Sequence, residues 1–483
     1  MSLRITGIGR ISAALFLVTT VGNSAPAPKD VQKFEPNWES ISKHKVPKWY
    51  DDAKFGIFVH WGLYSVPAWA PPVGKLHEVD WDTWFKTNAY AEWYLNSMKI
   101  DGSPTQKHHI ETYGKDFGYL DFIPRFNEEI QKWNPDEMAG FFQQVGARYV
   151  VLTTKHHDGF LLWPSSVRNP NRAENQQHAA RDIPGDLAKA VRAHGMRMGL
   201  YYSGGLDWSF NPRPIVSRDD VTGTVIHTEE YARHADAHWR ELIARYKPTI
   251  LWNDIGYPKQ GDLEHIFAGF YNAFPEGLVN NRFGTGLPEG PKRHYDFTTP
   301  EYQKMDDITQ EKWEATRGLG YSFGYNQVED AKQTIAPDEL IHLLIDVVSK
   351  NGNLLLNVGP MANGKIPEIQ ADRLRALGQW LAINGEAIYE TRPWRRAEGK
   401  TTDGVGIRFT SKGDTIYCIL LAKPKGPAVT IESLTAAEGS TIHLLGTATS
   451  LKWTVDRNNL KITLPVNLPD AYAYAFRISS GRL

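Results

Sequence analysis

Residues 134–155 read NPDEMAGFFQQVGARYVVLTTK and set a helix and a strand back to back. Asn134 is a natural N-cap, Pro135 suits the first helical position, and Gly146 suits the position past the end. Met138, Phe141, Phe142 and Val145 recur at helical spacing, which gives the helix an apolar face. RYVVLTTK then reads as a buried strand ending at Lys155. The same order extends both ways along the chain. Upstream, FGIFVHWG (55–62) is a first strand, followed by a long aromatic and polar insertion to about residue 132. Downstream, a helix over about 186–194, stopped by Gly195, leads to the strand MRMGLYYS (196–203). A long helix after Thr228 leads to TILWND (249–254). GLVNNR (277–282), HYDFTTPEY (294–302) and GYSFGYN (320–326) supply three more strands, with weak or missing helices between them. The helix in PDELIHLLIDVVSK (337–350) precedes NLLLNVG (353–359), the eighth strand, and a last helix spans about 368–384. Eight short strands alternating with helices predict an α/β fold, an irregular (β/α)8 TIM-like barrel over residues 32–390.

Helical periodicity ends near residue 390. VGIRFTSKGDTIYCILLAKP (405–424) alternates around a Gly-Asp turn, and LKWTVDRNNLKITLPV (451–466) does so around Asn458-Asn459. This predicts a small C-terminal antiparallel β-sandwich over 391–483.

Composition narrows the function classes. The chain has 483 residues, a formal net charge of −1 and no basic run, which argues against nucleic acid as a partner. Its 16 tryptophans suit a Trp-rich core and, secondarily, platforms that stack sugar rings. The single cysteine, Cys418, excludes an intramolecular disulfide. Residues 1–27 combine Arg4 and Arg10, an apolar run from Ile11 to Val21 and small residues around Ser24–Ala27. That is a signal-peptide pattern, too short to span a bilayer, and it predicts export to the periplasm or the medium. No other segment is apolar enough to span a membrane.

Barrel enzymes place their sites at the C-terminal ends of the strands. Here those ends bring His60, then Lys155-His156-His157-Asp158, then Tyr201 to Ser203, then Trp252-Asn253-Asp254. Asn281-Arg282, Glu301, Phe323 and Asn357 follow. Asp254 and Glu301, two strands apart, offer the carboxylate pair that glycoside hydrolysis uses: one attacks the anomeric carbon and the other moves a proton. Arg282, between them in sequence, suits holding the nucleophile ionised or orienting the acid. A metal-dependent hydrolase built on His60, His156, His157 and Asp254 is an alternative. It needs both adjacent histidines in the turn beyond the strand, since neighbours on a strand face opposite ways.

Several stretches, in order, resemble the α-L-fucosidases of glycoside hydrolase family 29. They are WYDDAKFGIFVHWGLYSVPAW (49–69), EWY (92–94), TKHHDGF (154–160), YYSGGLDW (201–208), LWND (251–254) and GNLLLNVGP (352–360). The resemblance runs from about residue 35 to the C-terminus. LWND, the EY motif and SFGYN bring it nearest the bacterial broad-specificity branch. It implies retaining exo-hydrolysis of terminal α-L-fucosyl residues through a covalent intermediate, with Asp254 as nucleophile and Glu301 as acid/base. It further implies His60, Glu92, Trp93, His156, His157, Tyr201 and Arg282 as ligands of the sugar. Trp252 and Phe323 become the apolar wall around its C6 methyl group. No metal or cofactor is implied. The partner is a fucosylated oligosaccharide or glycoconjugate, and a homo-oligomer is compatible with the sequence. Rival readings are an α-L-galactoside hydrolase and a non-catalytic fucose-binding relative. With the carboxylates doing the chemistry, the histidine pair is left to read hydroxyls, and Asp158 and Gly159 to shape its turn.

Overall fold

Seven parallel strands form the central ladder, in the spatial order 5-4-3-2-1-7-6. They are β1 Phe55–Val59, β2 Tyr149–Lys155, β3 Arg197–Ser203, β4 Ile250–Asp254, β5 Leu278–Val279, β6 Trp313–Gly318 and β7 Gly352–Val358. The computed structural model describes residues 33–284 and 293–479. The signal-peptide pattern therefore lies outside the described residues. Among those residues, no helix is long and apolar enough to cross a membrane.

The ring closes through the stretch expected as the sixth strand, which survives as bridges. Asp296 N–H bonds Val279 O at 2.9 Å, and Asn281 N–H bonds Phe297 O at 3.1 Å. On its other side Thr298 N–H bonds Lys312 O at 3.1 Å, and Tyr302 N–H bonds Thr316 O at 3.0 Å. One thin, helix-poor stretch of chain thus joins β5 to β6 and completes a TIM-like barrel.

The seventh strand corrects the sequence reading. GYSFGYN forms no ladder; WEATRG, Trp313–Gly318, takes its place. The polar letters of WEATRG conceal it, because Glu314 and Thr316 point inward and are buried. GYSFGYN stays a loop because carboxylates claim its amides. Tyr321 and Ser322 N–H bond Glu329 Oε1, at 3.1 and 2.8 Å, and Gly324 N–H bonds Glu92 Oε2 at 2.7 Å. Phe323 accordingly sits on a loop and not at a strand end.

The helices follow their signals. Pro135–Gln144 begins on Asn134, whose Oδ1 accepts from Asp136 N–H at 3.1 Å, and Gly146 takes φ 93° just past its end. Ile183–Ala193 starts earlier than expected because Asp182 caps it, accepting from Gly185 N–H at 3.0 Å. Inside the barrel, Phe58, Tyr149, Tyr201, Trp252, Phe297 and Leu355 pack into one buried cluster. This aromatic plug is a floor on which polar side chains at the upper rim can stand.

Beyond the barrel come β8 Arg392–Lys400, β9 Gly406–Lys412, β10 Thr415–Leu420, β11 Ala428–Ile431, β12 Thr441–Leu444, β13 Trp453–Asp456, β14 Asn459–Thr463 and β15 Tyr474–Ser479. They make a five-stranded and a three-stranded antiparallel sheet. Ile407, Phe409, Leu460 and Phe476 fill the core they share. The second hairpin turns one residue earlier than expected: Asp456 pairs with Asn459, and Arg457 takes φ 56° in the turn. Buried Asp346, on the helix Pro337–Ser349, ties these strands to the barrel by accepting from Arg408 Nε at 2.6 Å.

A buried polar strut pins the chain entering the barrel to its closing segment. His44 Nδ1 lies 2.7 Å from Asp296 Oδ1, and Asp296 Oδ2 accepts from Tyr271 Oη and Val279 N–H, both at 2.8 Å. Burial alone would raise the Asp296 carboxyl, but hydrogen bonds from His294 and His44 outweigh it and bring it down to about 2. A depressed carboxylate stabilises the fold above its unfolded value, near 4, and that stabilisation is lost as pH falls through the folded value. Asp296→Asn is expected to cost on the order of 2 kcal/mol at neutral pH. In urea titrations the gap between wild type and variant should close as pH drops toward 2. An equal gap at both ends of that range would mean that the charge is not what stabilises.

Candidate active site

Asp254 is the last residue of β4, whose five residues are all buried. The chain then turns sharply, with Ile255 at φ 47° and Gly256 at φ 81°. That turn lets Asp254 Oδ1 accept from Ile255 N–H at 3.0 Å. Oδ1 also accepts from Arg282 Nη1 at 2.8 Å, and Oδ2 accepts from Tyr201 Oη at 2.9 Å. The other arm of the same guanidinium, Nη2, bonds Glu301 Oε2 at 3.0 Å. Glu301 Oε1 accepts from Tyr90 Oη at 2.7 Å. One arginine thus grips both carboxylates, and each carboxylate has a tyrosine of its own.

Arg282 stands in the short turn Asn281–Gly284 after β5. Its Nε bonds Thr299 Oγ1 at 2.9 Å, and Nη2 also bonds Thr299 O at 3.1 Å, so its fork is fixed from below. Burial disfavours its charge, yet Asp254 and Glu301 more than compensate and hold it firmly protonated. The guanidinium lies over the Trp252 ring at 4.7 Å.

The imidazoles are neutral, and their tautomers can be read from their neighbours. His60 Nδ1 lies 2.6 Å from Asn357 Oδ1, whose amide nitrogen donates to Phe323 O at 2.6 Å. Nδ1 therefore holds the proton and Nε2 is free to accept. Burial pulls this ring down to about 4. His157 Nδ1 lies 2.6 Å from Ser203 Oγ, which donates its own proton to Leu206 O at 2.7 Å. Its Nε2 is likewise an acceptor, 3.8 Å from Asp254 Oδ2. His156 is buried, with the other two imidazoles adding to its resistance to charging. Its Nδ1 makes no hydrogen bond among the described residues.

β2 ends at Lys155, so His156 and His157 sit in the turn and escape strand alternation; their rings lie 4.0 Å apart. Asp158 shapes that turn by accepting from Phe160 N–H at 3.1 Å, and Gly159 takes φ 73°. Glu92 and Trp93 come from the insertion. Glu92 Oε2 takes Gly324 N–H and the Ser322 hydroxyl, and burial raises its carboxyl to about 7. Trp93 meets His157 edge-on at 5.5 Å, and Phe323 packs 5.0 Å from His60.

All eleven residues singled out from the sequence line one cavity of about 270 Å³. Sequence reasoning missed Tyr90, the partner of Glu301, although it stands two residues before Glu92. It also missed the outer lining: Leu76, Trp81, Trp84 and Phe85 from the insertion, with Arg218 beyond β3. A different trio, His44, His294 and Asp296, has ligand atoms within 4.8 Å of one another. These belong to the strut, where Asp296 is already engaged by His44, Tyr271 and Val279. Among the described residues, the metal set weighed from the sequence, His60, His156, His157 and Asp254, is not one of the groups whose ligand atoms converge in this way.

Two carboxylates on one barrel rim, held by one guanidinium, are what a glycoside hydrolase requires. Comparison with known proteins specifies which kind. The family model described as alpha-L-fucosidase matches residues 23–386, and that of the alpha-L-fucosidase C-terminal domain matches 400–479. The chain belongs to the α-L-fucosidase family, glycoside hydrolase family 29. Human tissue α-L-fucosidase is 33% identical over 96% of this chain and 94% of its own. The α-L-fucosidase of Dictyostelium discoideum is 32% identical over 93% and 95%. Among solved structures, Thermotoga maritima α-fucosidase in complex with a mechanism-based inhibitor superposes with a TM-score of 0.85. It is 45% identical, over 93% of this chain and 100% of its own. The resemblance to bacterial enzymes that the motifs suggested is present in this structure.

The raised carboxyl of Glu92 has a signed consequence. Below about 7 the folded protein keeps a proton that the unfolded chain releases near its ordinary value. Glu92 therefore favours folding at low pH, and that contribution is lost as pH rises through about 7. Substrate binding should show the same titration. The pH profile of 1/KM is expected to bend near pH 7, and Glu92→Gln should remove the bend. A bend persisting in Glu92→Gln would assign it to another group.

Proposed function

We propose that this chain is a retaining exo-α-L-fucosidase that removes terminal α-L-fucosyl residues from oligosaccharides or glycoconjugates. The observation that bears most on the reading is the Arg282 fork, at 2.8 Å to Asp254 and 3.0 Å to Glu301. Retaining glycosidases need their carboxyl groups about 5–5.5 Å apart, and sharing one guanidinium is a way to hold two carboxylates that close. In the proposed reaction Asp254 attacks the anomeric carbon while Glu301 gives a proton to the departing oxygen. Water then opens the fucosyl ester, with Glu301 taking its proton. Arg282 and Tyr201 hold Asp254 aimed by their hydrogen bonds to its two oxygens. His60 and His157, as acceptors, and Glu92 read the sugar hydroxyls, with His156 and Trp93 beside them. Trp252 and Phe323 present apolar faces to the C6 methyl group, which favours fucose over its C6-hydroxylated counterpart, L-galactose. Residues 32–390 form the catalytic body in this proposal, 391–483 a β-sandwich docked on it, and 1–27 a signal for export.

Hydrolysis of an aryl α-L-fucoside tests the assignment. Asp254→Gly should lose several orders of magnitude, and azide should restore turnover with formation of the inverted β-fucosyl azide. Glu301→Gly should lose about 10²–10⁴-fold, mainly in deglycosylation, and azide should rescue it with retention. Near-normal turnover by Asp254→Gly would refute the nucleophile. Azide that leaves Glu301→Gly unaltered would move the proton transfer to another group.

A further inference from the structure

Glu314 lies at the centre of the barrel with no exposed surface. Nothing in the proposed reaction uses it. An isolated carboxyl so placed would be costly, and an apolar side chain would fill the same space at no such cost. Here three donors meet it: Tyr149 Oη at 2.6 Å, Tyr50 Oη at 2.7 Å and the Trp252 indole Nε1 at 3.0 Å. Tyr50 and Tyr149 face the closed end of the barrel. Trp252 faces the cavity.

Trp252 is the support on which the nucleophile's partners rest. It stands two residues before Asp254 on β4, so both side chains point into the barrel. The Tyr201 ring stacks on it at 5.5 Å with an interplanar angle of 24°, and the Arg282 guanidinium lies over it at 4.7 Å. Those two residues are the side chains that hydrogen-bond Asp254. Phe58 packs against the indole at 4.9 Å, a contact without a hydrogen-bond direction. The Nε1–H bond to Glu314 supplies that direction.

We propose that Glu314 is a positioning residue that acts through the Trp252 indole. By fixing the tilt of that ring, it sets where Arg282 and Tyr201 hold Asp254 and where the apolar wall meets the C6 methyl group. The inference rests on the fucosidase reading and adds to it a layer beneath the site.

The test compares wild type, Glu314→Ala, Glu314→Gln and Trp252→Phe. Each is assayed for kcat and KM on an aryl α-L-fucoside and on the matching α-L-galactoside, with thermal stability measured alongside. Glu314→Ala is expected to lower kcat by about tenfold or more, since small misplacements of reacting groups are expensive. It should also narrow the fucoside-to-galactoside ratio by about fivefold, because a loosened wall admits a C6 hydroxyl. Glu314→Gln keeps an oxygen acceptor for the indole and should return kcat to within about threefold of wild type. Trp252→Phe keeps a ring but loses the N–H, and should narrow the ratio as Glu314→Ala does. A Glu314→Ala that loses stability yet keeps kcat and the ratio would reduce Glu314 to packing and overturn the proposal. Equal damage from Gln and Ala would overturn it too, by making charge the active property. Should Glu314→Ala not fold, Glu314→Leu, which fills the space but offers the indole no acceptor, is assayed in its place: an unaltered kcat and ratio overturn the proposal, and a lowered kcat with a narrowed ratio supports it. A wild type inactive on every fucoside would overturn the fucosidase reading, and this inference with it.

Discussion

The bridge from Arg282 to Asp254 and Glu301 is the interaction on which the rest of the site depends. A carboxylate in a buried cavity carries a desolvation penalty, and a second carboxyl group on the same rim adds to it. A planar guanidinium answers both problems, offering two parallel donor arms and a charge that burial does not remove. Arg282 is in turn fixed by Thr299 below and by the Trp252 face beside it. Fixed donors of this kind are the condition for electrostatic stabilisation without reorganisation during the reaction.

The irregular side of the barrel follows from the same requirement. β5 is only two residues long, and the chain leaves it at once into the turn that bears Arg282. The closing segment pairs with β5 through one end and with β6 through the other, and Glu301 emerges from it beside Thr316. A full strand and helix here would point both side chains along a regular ladder. The thin closure aims them across the mouth toward β4. The strut through Asp296 stabilises that segment from the opposite end, so a stretch of low regularity keeps a defined position.

How much could be read in advance varied with the local physics. β2 and β4 were legible because their runs are apolar, and the helices because Asn134 and Thr228 cap an apolar period. β6 was hidden because an inward-facing glutamate reads as surface when its partners, Tyr50, Tyr149 and Trp252, are far away in sequence. GYSFGYN looked like a strand from its aromatic content, while the carboxylates that bend it, Glu92 and Glu329, lie outside any local window. The histidine pair was ambiguous on a regular strand, and the end of β2 at Lys155 settles its geometry. The convergence of eleven side chains on one cavity came from strand-end logic together with family resemblance. Tyr90 escaped both, since the insertion holding it has no period to mark which aromatic turns toward Glu301.

The most direct measurement is to catch the covalent intermediate. A fucosyl fluoride with fluorine at C2 has a good leaving group but destabilises the cationic transition state that would release the sugar. The enzyme should therefore accumulate as the glycosyl ester. Peptide mass mapping after brief exposure is predicted to find one added 2-fluorofucosyl group, on the peptide that contains Asp254, with fragmentation placing it on that residue. Inactivation without a label, or a label on Glu301 or Glu92, would contradict the account.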